Sequence, residues 1–397
     1  MTRRATTDRL AAIRRRLGEV EGQPPLDAVL VTDGDNRRYL SGFTGSAGLL
    51  LITAEAARLL TDFRYVEQAA AQAPEYEIVK IEGQPWPTVA EQINTLANHR
   101  LGFESEDLTV DGHLRLQEAL KKSGSPKSHV PSQVPSQNVD FELGTGDVGL
   151  DLVPLRGFVE HVRQVKDAAE IEVIRRAVEV ADRAFERVAA GLTPGVSERE
   201  VAWRLEVAMR EAGADGLSFP IIVAAGPNGA MPHHHPDDRP IQAGEPIVID
   251  MGCRLDGYCS DMTRTIVLGE PDARFWEIYG LVLRAQQTCE DGLKAGMTGT
   301  AGDALARDAI VAAGHKDHFG HGTGHGVGLA VHEQPRLTYT QLGEAPVPEG
   351  AVVTVEPGIY LPGWGGVRIE DMVVVGQSRC LVLTTAHKFP VVTLAPA

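Results

Sequence analysis

The chain reads as an α/β domain followed by an α+β domain that contains an internal repeat. Its 397 residues exceed what one ordinary core holds, so two domains are expected. From residue 26 to 122, short apolar runs of strand length alternate with stretches of helical periodicity, the pattern of an α/β layer. Beyond residue 190, glycine-marked helix ends recur at a fixed spacing. The expected boundary divides residues 1–155 from residues 156–397.

The first element is MTRRATTDRLAAIRRRLGEVEG. It is rich in arginine but has no apolar h-region, so it is not a secretory signal. A transit peptide has a similar composition, but Leu10, Ile13 and Leu17 share one helical face, which favours an ordinary surface helix. Strands are expected at 28–32, 48–53 and 78–81, with helices at 63–72, 89–96 and 112–121. No cluster of catalytic groups falls in this part. Residues 123–146, SGSPKSHVPSQVPSQNVDFELGTG, turn to Ser, Pro and Gln, the chemistry of a loop or linker closing the first domain. The second domain opens on a long helix. Asp167 and Glu170 have capping-box spacing ahead of an apolar pattern that runs to about residue 190, and a further helix starts at Ser197.

The repeat follows. Gly191-Leu192-Thr-Pro-Gly195 is matched by Gly292-Leu293-Lys-Ala-Gly296, and Ala212-Gly213 by Ala313-Gly314, all at an offset of 101 residues. Chance agreement of glycine-rich helix ends could produce the same letters. A duplicated unit predicts more: two similar halves enclosing a site, with chemistry divided between them.

Composition narrows the function. With 38 basic and 54 acidic residues the formal charge is −16, which disfavours phosphate backbones and anionic lipid surfaces as partners. No apolar run approaches the roughly 18 residues that span a bilayer. Cys253, Cys259, Cys289 and Cys380 are too few for a disulfide framework in so long a chain, and they read as buried thiols of a cytoplasmic protein.

Four carboxylates and one imidazole carry the chemistry: Asp250, Asp261, His325, Glu356 and Glu370. The runs PIVIDMG, AVVTVEPG and GVRIED each place a carboxylate after Val/Ile-rich residues, where only a charge-compensated site could hold it. Each alone has a plain explanation, as a turn former or a helix cap. Their joint occurrence calls for cations. Two divalent metals roughly 3.5–4 Å apart would resolve the charge and give a hydrolase. Oxygen ligands with one imidazole suit Mn²⁺, Co²⁺, Fe²⁺ or Zn²⁺. The ligands also divide as the repeat requires, with Asp250 and Asp261 after its first copy and His325, Glu356 and Glu370 after its second.

These residues, in the contexts GYCSDMTRT, HGTGHGVGLAVHEQP, VEPGIYLPG and GGVRIED, resemble the metallopeptidases of the pita-bread fold. Within them the chain is similar to the proline-specific branch, the Xaa-Pro dipeptidases (prolidases) and aminopeptidase P. NRRYLSGFTGSAG and TDFRYVEQA resemble the N-terminal domain of that branch. The resemblance implies two metal ions, foremost Mn²⁺, and hydrolysis of the bond before proline in a di- or oligopeptide. It implies Glu356 for proton transfer, and His233 and His332 for contact with the peptide and its developing oxyanion. It implies Arg336 for the free carboxylate of a C-terminal proline, and a homodimer. Arg368, two residues before Glu370, should face the same side of its strand and orient carboxylates or touch the substrate. Thr263 is expected to support a ligand, His321 to be structural, and His234 and His235 to face solvent. A metal-free amidinohydrolase resembling creatinase, or a binding module on a dead scaffold, should have lost ligands. All five are kept.

Overall fold

The computed structural model describes residues 3–20, 23–95, 100–123 and 150–393. Apart from Ser123, the stretch expected as a linker lies outside these residues. The chain divides into two compact units, Met1–Val162 and Arg163–Ala397.

The first unit is built on a six-stranded mixed sheet. Its order is Glu77–Ile81, Ala57–Asp62, Leu49–Thr53, Ala28–Val31, Arg100–Glu104 and Asp151–Leu155. Alternating side chains of the strands, Ala28 and Leu30 among them, share a core with Val89, Ile93 and Leu116 from the helices Pro85–Asn94 and Val110–Lys122. The N-terminal helix Arg3–Leu17 buries Leu10, Ile13 and Leu17, as their spacing predicts. The helix expected at 63–72 is shorter, Val66–Gln72, and leaves Phe63 exposed in the preceding turn. The helix Gly34–Ser41 and the strands Ala57–Asp62, Arg100–Glu104 and Asp151–Leu155 escaped sequence reasoning. The helix Gly34–Ser41 is short and polar; Asp33 caps its first turn through Asn36 N, and Gly42 ends it at φ 78°. In the strand Ala57–Asp62, Arg58, Thr61 and Asp62 flank Leu59 and Leu60 and mask the apolar pair.

In the second unit the repeat is physical. The helix pairs Ala168–Ala189 with Glu198–Glu211 and Ala273–Gly292 with Gly299–Ala312 occupy corresponding places. The landmark glycines Gly195 and Gly296, and Gly213 and Gly314, all have positive φ, between 84° and 103°. Their hydrogen bonds keep the offset in part. Gly213 N donates to Arg210 O as Gly314 N does to Val311 O, both at the offset of 101, whereas Gly195 N and Gly296 N donate to Ile241 O and Val347 O, which lie 106 residues apart. Ser197 and Thr298 cap the second helix of each pair. The long helix Ala168–Ala189 opens on the expected capping box of Asp167 and Glu170.

Each helix pair packs on its own antiparallel strands. Val201 and Leu205 pack with Ile247 and Ile249 of Pro246–Met251, and Phe275, Val282 and Ile310 pack with Val353 and Val355 of Val352–Val355. The strand Met262–Leu268 joins the halves. Glu370 N donates to Thr263 O, and Thr265 Oγ1 bonds both the carbonyl and the amide of Arg368. The expected continuous strand through GVRIED is broken. Gly365–Arg368 belongs to a two-stranded hairpin and Asp371–Val375 to the five-stranded sheet, so Ile369 and Glu370 form the crossing between them.

Candidate metal centre

All five expected ligands come together in the second unit. Asp250 stands on Pro246–Met251, Asp261 precedes Met262–Leu268, His325 is central in Gly324–Gly326, and Glu356 follows Val352–Val355. His325 Nε2 lies 3.3 Å from Glu356 and 3.7 Å from Asp261. Donor atoms of Asp261, His325 and Glu370 lie within 4.8 Å of one another.

Glycines around His325 make the approach possible. A Cβ at Gly324 would meet Thr354 O at 2.0 Å, and one at Gly326 would meet Gln334 O at 2.2 Å. The glycine run therefore serves close packing of the strand that presents the imidazole. His325 Nδ1 pairs with Gly326 O at 3.1 Å, so the proton sits on Nδ1 and the Nε2 lone pair faces the carboxylates. Burial, helped by neighbouring His332, holds the His325 pKa down at about 3, so the ring stays neutral and able to ligate.

The carboxylates are under electrostatic pressure. Burial raises Asp250, Asp261 and Glu370 above the ordinary carboxylate range, and mutual repulsion adds to it for Asp261 and Glu370. Burial likewise pushes Glu356 up to about 7, with Arg368 opposing. Arg368 is the organising cation. Burial alone would lower its pKa, but Tyr360, Asp250 and Glu356 hold it well above the usual value. It donates to Asp250 Oδ2 at 2.7 Å, to Thr263 Oγ1 at 3.0 Å and to Tyr360 Oη at 2.8 Å. Thr263 Oγ1 in turn donates to Glu370 Oε2 at 2.6 Å. Arg368 and Glu370 thus meet through Thr263, although the strand between them is broken. Through these bonds Arg368 orients the ligand carboxylates.

This donor set fits divalent cations. Hard carboxylate oxygens and one neutral imidazole are the ligand types that such ions take. Asp250 Oδ1 is buried with no hydrogen-bond partner, the kind of orphaned atom that a cation satisfies.

The remaining expected residues flank the cluster. His332 lies at its open side, with ring centroid 4.3 Å from His325, and burial followed by Arg336 lowers its pKa. Arg336 is the cross-strand partner of His325. His233 is exposed but close enough to act electrostatically on Asp250, His321 and His332. His321 is structural as expected: Nδ1 pairs with Gly322 O and Nε2 with Tyr360 Oη, both at 2.8 Å. His234 departs from expectation. It turns inward, with Nε2 2.7 Å from Glu198, whereas His235 is exposed.

Sequence reasoning missed four supports. Thr354 Oγ1 accepts from His325 N and donates to Glu356 Oε1. Tyr360 links His321 to Arg368. Glu333, beside His332, is buried between Arg163 at 2.5 Å and Lys166 at 2.9 Å. Glu198 receives His234. Tyr360, Glu333 and Thr354 lie within the stretches VEPGIYLPG, HGTGHGVGLAVHEQP and AVVTVEPG, whereas Glu198 had no local signal.

Comparison with known proteins decides the family. The description "Metallopeptidase family M24" matches residues 172–377, and "Creatinase/Prolidase N-terminal domain" matches residues 9–131. The chain belongs to metallopeptidase family M24. It is 34% identical to an Xaa-Pro dipeptidase of Pyrococcus horikoshii, over 94% of this chain and 97% of the relative. A solved Xaa-Pro dipeptidase from Bacillus anthracis superposes with TM-score 0.87 at 39% identity, covering 98% of this chain and 100% of the other. An X-Pro aminopeptidase from Thermotoga maritima superposes with TM-score 0.82 at 33% identity, covering 96% and 100%. The M24 architecture is the pita-bread fold behind a creatinase-type N-terminal domain, and it makes this chain a metal-dependent peptidase. No helix among the described residues is long and apolar enough to cross a membrane.

Proposed function

We propose that this M24 peptidase is an Xaa-Pro dipeptidase that uses two divalent metal ions, foremost Mn²⁺. Asp250, Asp261, His325, Glu356 and Glu370 would hold the metals. The carrying observation is the convergence of these five residues, with Arg336 paired across the strand from His325. Charge supports the count. Four carboxylates against Arg368 leave three negative charges in a buried pocket, which one divalent ion does not offset and two do.

When bound, the metals would lower the pKa of a water and polarise the scissile carbonyl. Glu356, partly exposed, takes the proton of the attacking water at a carboxylate oxygen and hands it to the leaving imino nitrogen. Thr354 steadies its other role by holding Oε1. His332 and His233 donate to the developing oxyanion. Arg336 forks onto the free carboxylate of the C-terminal proline. A shaped pocket must select proline, because its nitrogen carries no hydrogen to read. Catalysis belongs to residues 156–397 in this reading and the N-terminal domain is residues 1–155. The protein acts as a homodimer in the cytoplasm, where its free cysteines stay reduced.

Aminopeptidase P activity is the second reading, favoured by the likeness to the Thermotoga maritima X-Pro aminopeptidase. One assay separates them. The metal-stripped protein is reloaded with Mn²⁺, Co²⁺ or Zn²⁺ and offered Xaa-Pro and Xaa-Pro-Yaa peptides. Preference for the dipeptide supports the proposal, preference for the longer peptide supports aminopeptidase P, and cleavage of neither with any metal overturns both.

A further inference from the structure

The run His233-His234-His235 holds a group that the reaction above does not use. His234 points away from the metal centre and into Glu198, a wholly buried carboxylate in the first turn of Glu198–Glu211. Glu198 is saturated. Its Oε1 accepts from Ala225 N at 2.8 Å and Asn228 Nδ2 at 3.0 Å; its Oε2 accepts from His234 Nε2 at 2.7 Å and Asp237 N at 3.3 Å. Glu198, His234 and Asp237 bring donor atoms within 4.8 Å of one another, a spacing that invites a cation. None is needed, since four N–H groups fill both carboxylate oxygens.

These four donors bracket one segment, from the end of the strand Ile222–Ala225 through the turn Gly226–Ala230 to Asp237. The opposite side of that turn rests backbone to backbone on the hairpin that carries Arg368. A Cβ at Gly366 would meet Gly229 O at 2.0 Å, and one at Gly365 would meet Gly226 O at 2.9 Å. Arg368 also reaches Pro232 O at 3.5 Å. His233 sits between these anchors. No side-chain hydrogen bond holds its ring among the described residues, so its aim depends on the chain around it.

We infer that the His234–Glu198 hydrogen bond is a latch that positions His233 toward the metal centre, with His234 a positioning residue for peptide hydrolysis. The inference rests on the proposed reading of His233. His234 is the one side chain of the latch adjacent to His233, and the bond from His234 N to Met231 O closes a turn that has His233 at its corner. Seating His234 on Glu198 therefore fixes the end of the turn that presents His233. Losing the bond frees the His233 ring without removing any metal donor.

The test uses the full-length, Mn²⁺-loaded protein with Ala-Pro as substrate. His234→Ala is expected to lower kcat by about 10- to 100-fold, the scale of an ångström-level misplacement. KM should stay within about threefold, and metal content per chain should be unchanged. His234→Gln, whose Nε2 can reach the same Glu198 oxygen, should recover most of the rate; this also guards against a folding defect in the alanine variant. In a His233→Ala background, His234→Ala should change nothing further. Equal losses in both backgrounds, or a wild-type rate for His234→Ala, overturn the latch. A second readout works whatever the substrate proves to be. In ¹³C-labelled histidine spectra the His233 ring should give one sharp signal in the wild type, several or a broadened one in His234→Ala, and a restored one in His234→Gln. An unchanged His233 signal in His234→Ala overturns the inference. Failure of the wild type to cleave any Xaa-Pro peptide would instead overturn the proposed function.

Discussion

Replacing Thr263 by valine keeps the shape of a fully buried side chain and removes one oxygen. That oxygen is the hinge of the relay from Arg368 to Glu370. It accepts from Arg368 Nε at 3.0 Å and donates to Glu370 Oε2 at 2.6 Å. Hydrogen bonds to charged groups contribute about 1.5–3 kcal/mol each, and valine's buried methyl returns part of the loss. A net destabilisation of roughly 2–4 kcal/mol is expected, which in a domain of this size lowers Tm by about 4–16 °C. Losing a group that orients a metal ligand should also weaken divalent-metal binding by about 10- to 100-fold. Calorimetric titration of the apo protein with Mn²⁺, beside thermal melts of wild type, Thr263→Val and Thr263→Ser, measures both. Serine keeps the hydroxyl and should bind metal like the wild type. Wild-type Mn²⁺ affinity in Thr263→Val would refute the claim that Thr263 aims Glu370.

Glu356→Gln removes the proton acceptor, and kcat should fall by about 10²- to 10⁴-fold in a stopped-flow assay with Ala-Pro. A wild-type rate would rule out the proton-transfer role. Arg336→Ala should raise KM for Xaa-Pro dipeptides by about 10- to 100-fold, with a much smaller change for Xaa-Pro-Yaa, as steady-state kinetics on both will tell. His321 supplies a pH prediction. Burial, followed by Arg368, lowers its pKa from 6.5 to about 4, so the unfolded ring takes up a proton well before the folded one. Its contribution is fully present above about pH 7 and is lost as pH falls toward 4, amounting to roughly 2 kcal/mol by pH 5. Urea unfolding of wild type and His321→Gln at pH 7 and pH 5 should show a smaller acid loss in the variant. Gly324→Ala should fold poorly or melt many degrees lower, because its Cβ would meet Thr354 O at 2.0 Å, a backbone atom that cannot move aside. A melt within about 2 °C of wild type would show that the strand has slack.

The legible parts of the fold share a physical property: they state themselves locally. Leu10, Ile13 and Leu17 mark a buried helix face through spacing alone, and Asp167 with Glu170 writes out a helix start within four residues. The repeat was readable because four of its landmarks, Gly195, Gly213, Gly296 and Gly314, are glycines at positive φ, where a side chain is strained, so the letters at those positions follow from backbone geometry. The helix Gly34–Ser41 has no such signature. It is too short for periodicity to show, and what stabilises it is remote: Arg37 donates to the carbonyls of Gly45 and Gly48, and Asn36 pairs with Glu104. The break at Ile369 and Glu370 was hidden for the opposite reason. GVRIED is a good strand sequence throughout, and only the meeting of two sheets on Met262–Leu268 decides that it must cross from one to the other.

The same division runs through the site. A carboxylate at the end of an apolar strand is a local contradiction, since it puts a charge where the sequence otherwise buries hydrocarbon, and Asp250, Glu356 and Glu370 stood out because that contradiction recurs, each alone having a plain explanation. The groups that aim them carry no contradiction. Thr354 and Tyr360 are ordinary residues of strands and turns, with partners up to 39 positions away in the chain, and of the supporting hydroxyls only Thr263 was expected. Which of the three histidines turns inward was invisible, because HHH reads alike in either direction. Glu198 breaks the tie. A buried carboxylate must collect donors, and the donor it collects from this run is His234. The sequence thus announces which residues are too polar for their surroundings, whereas which way each one points is settled by what else the fold has buried beside it.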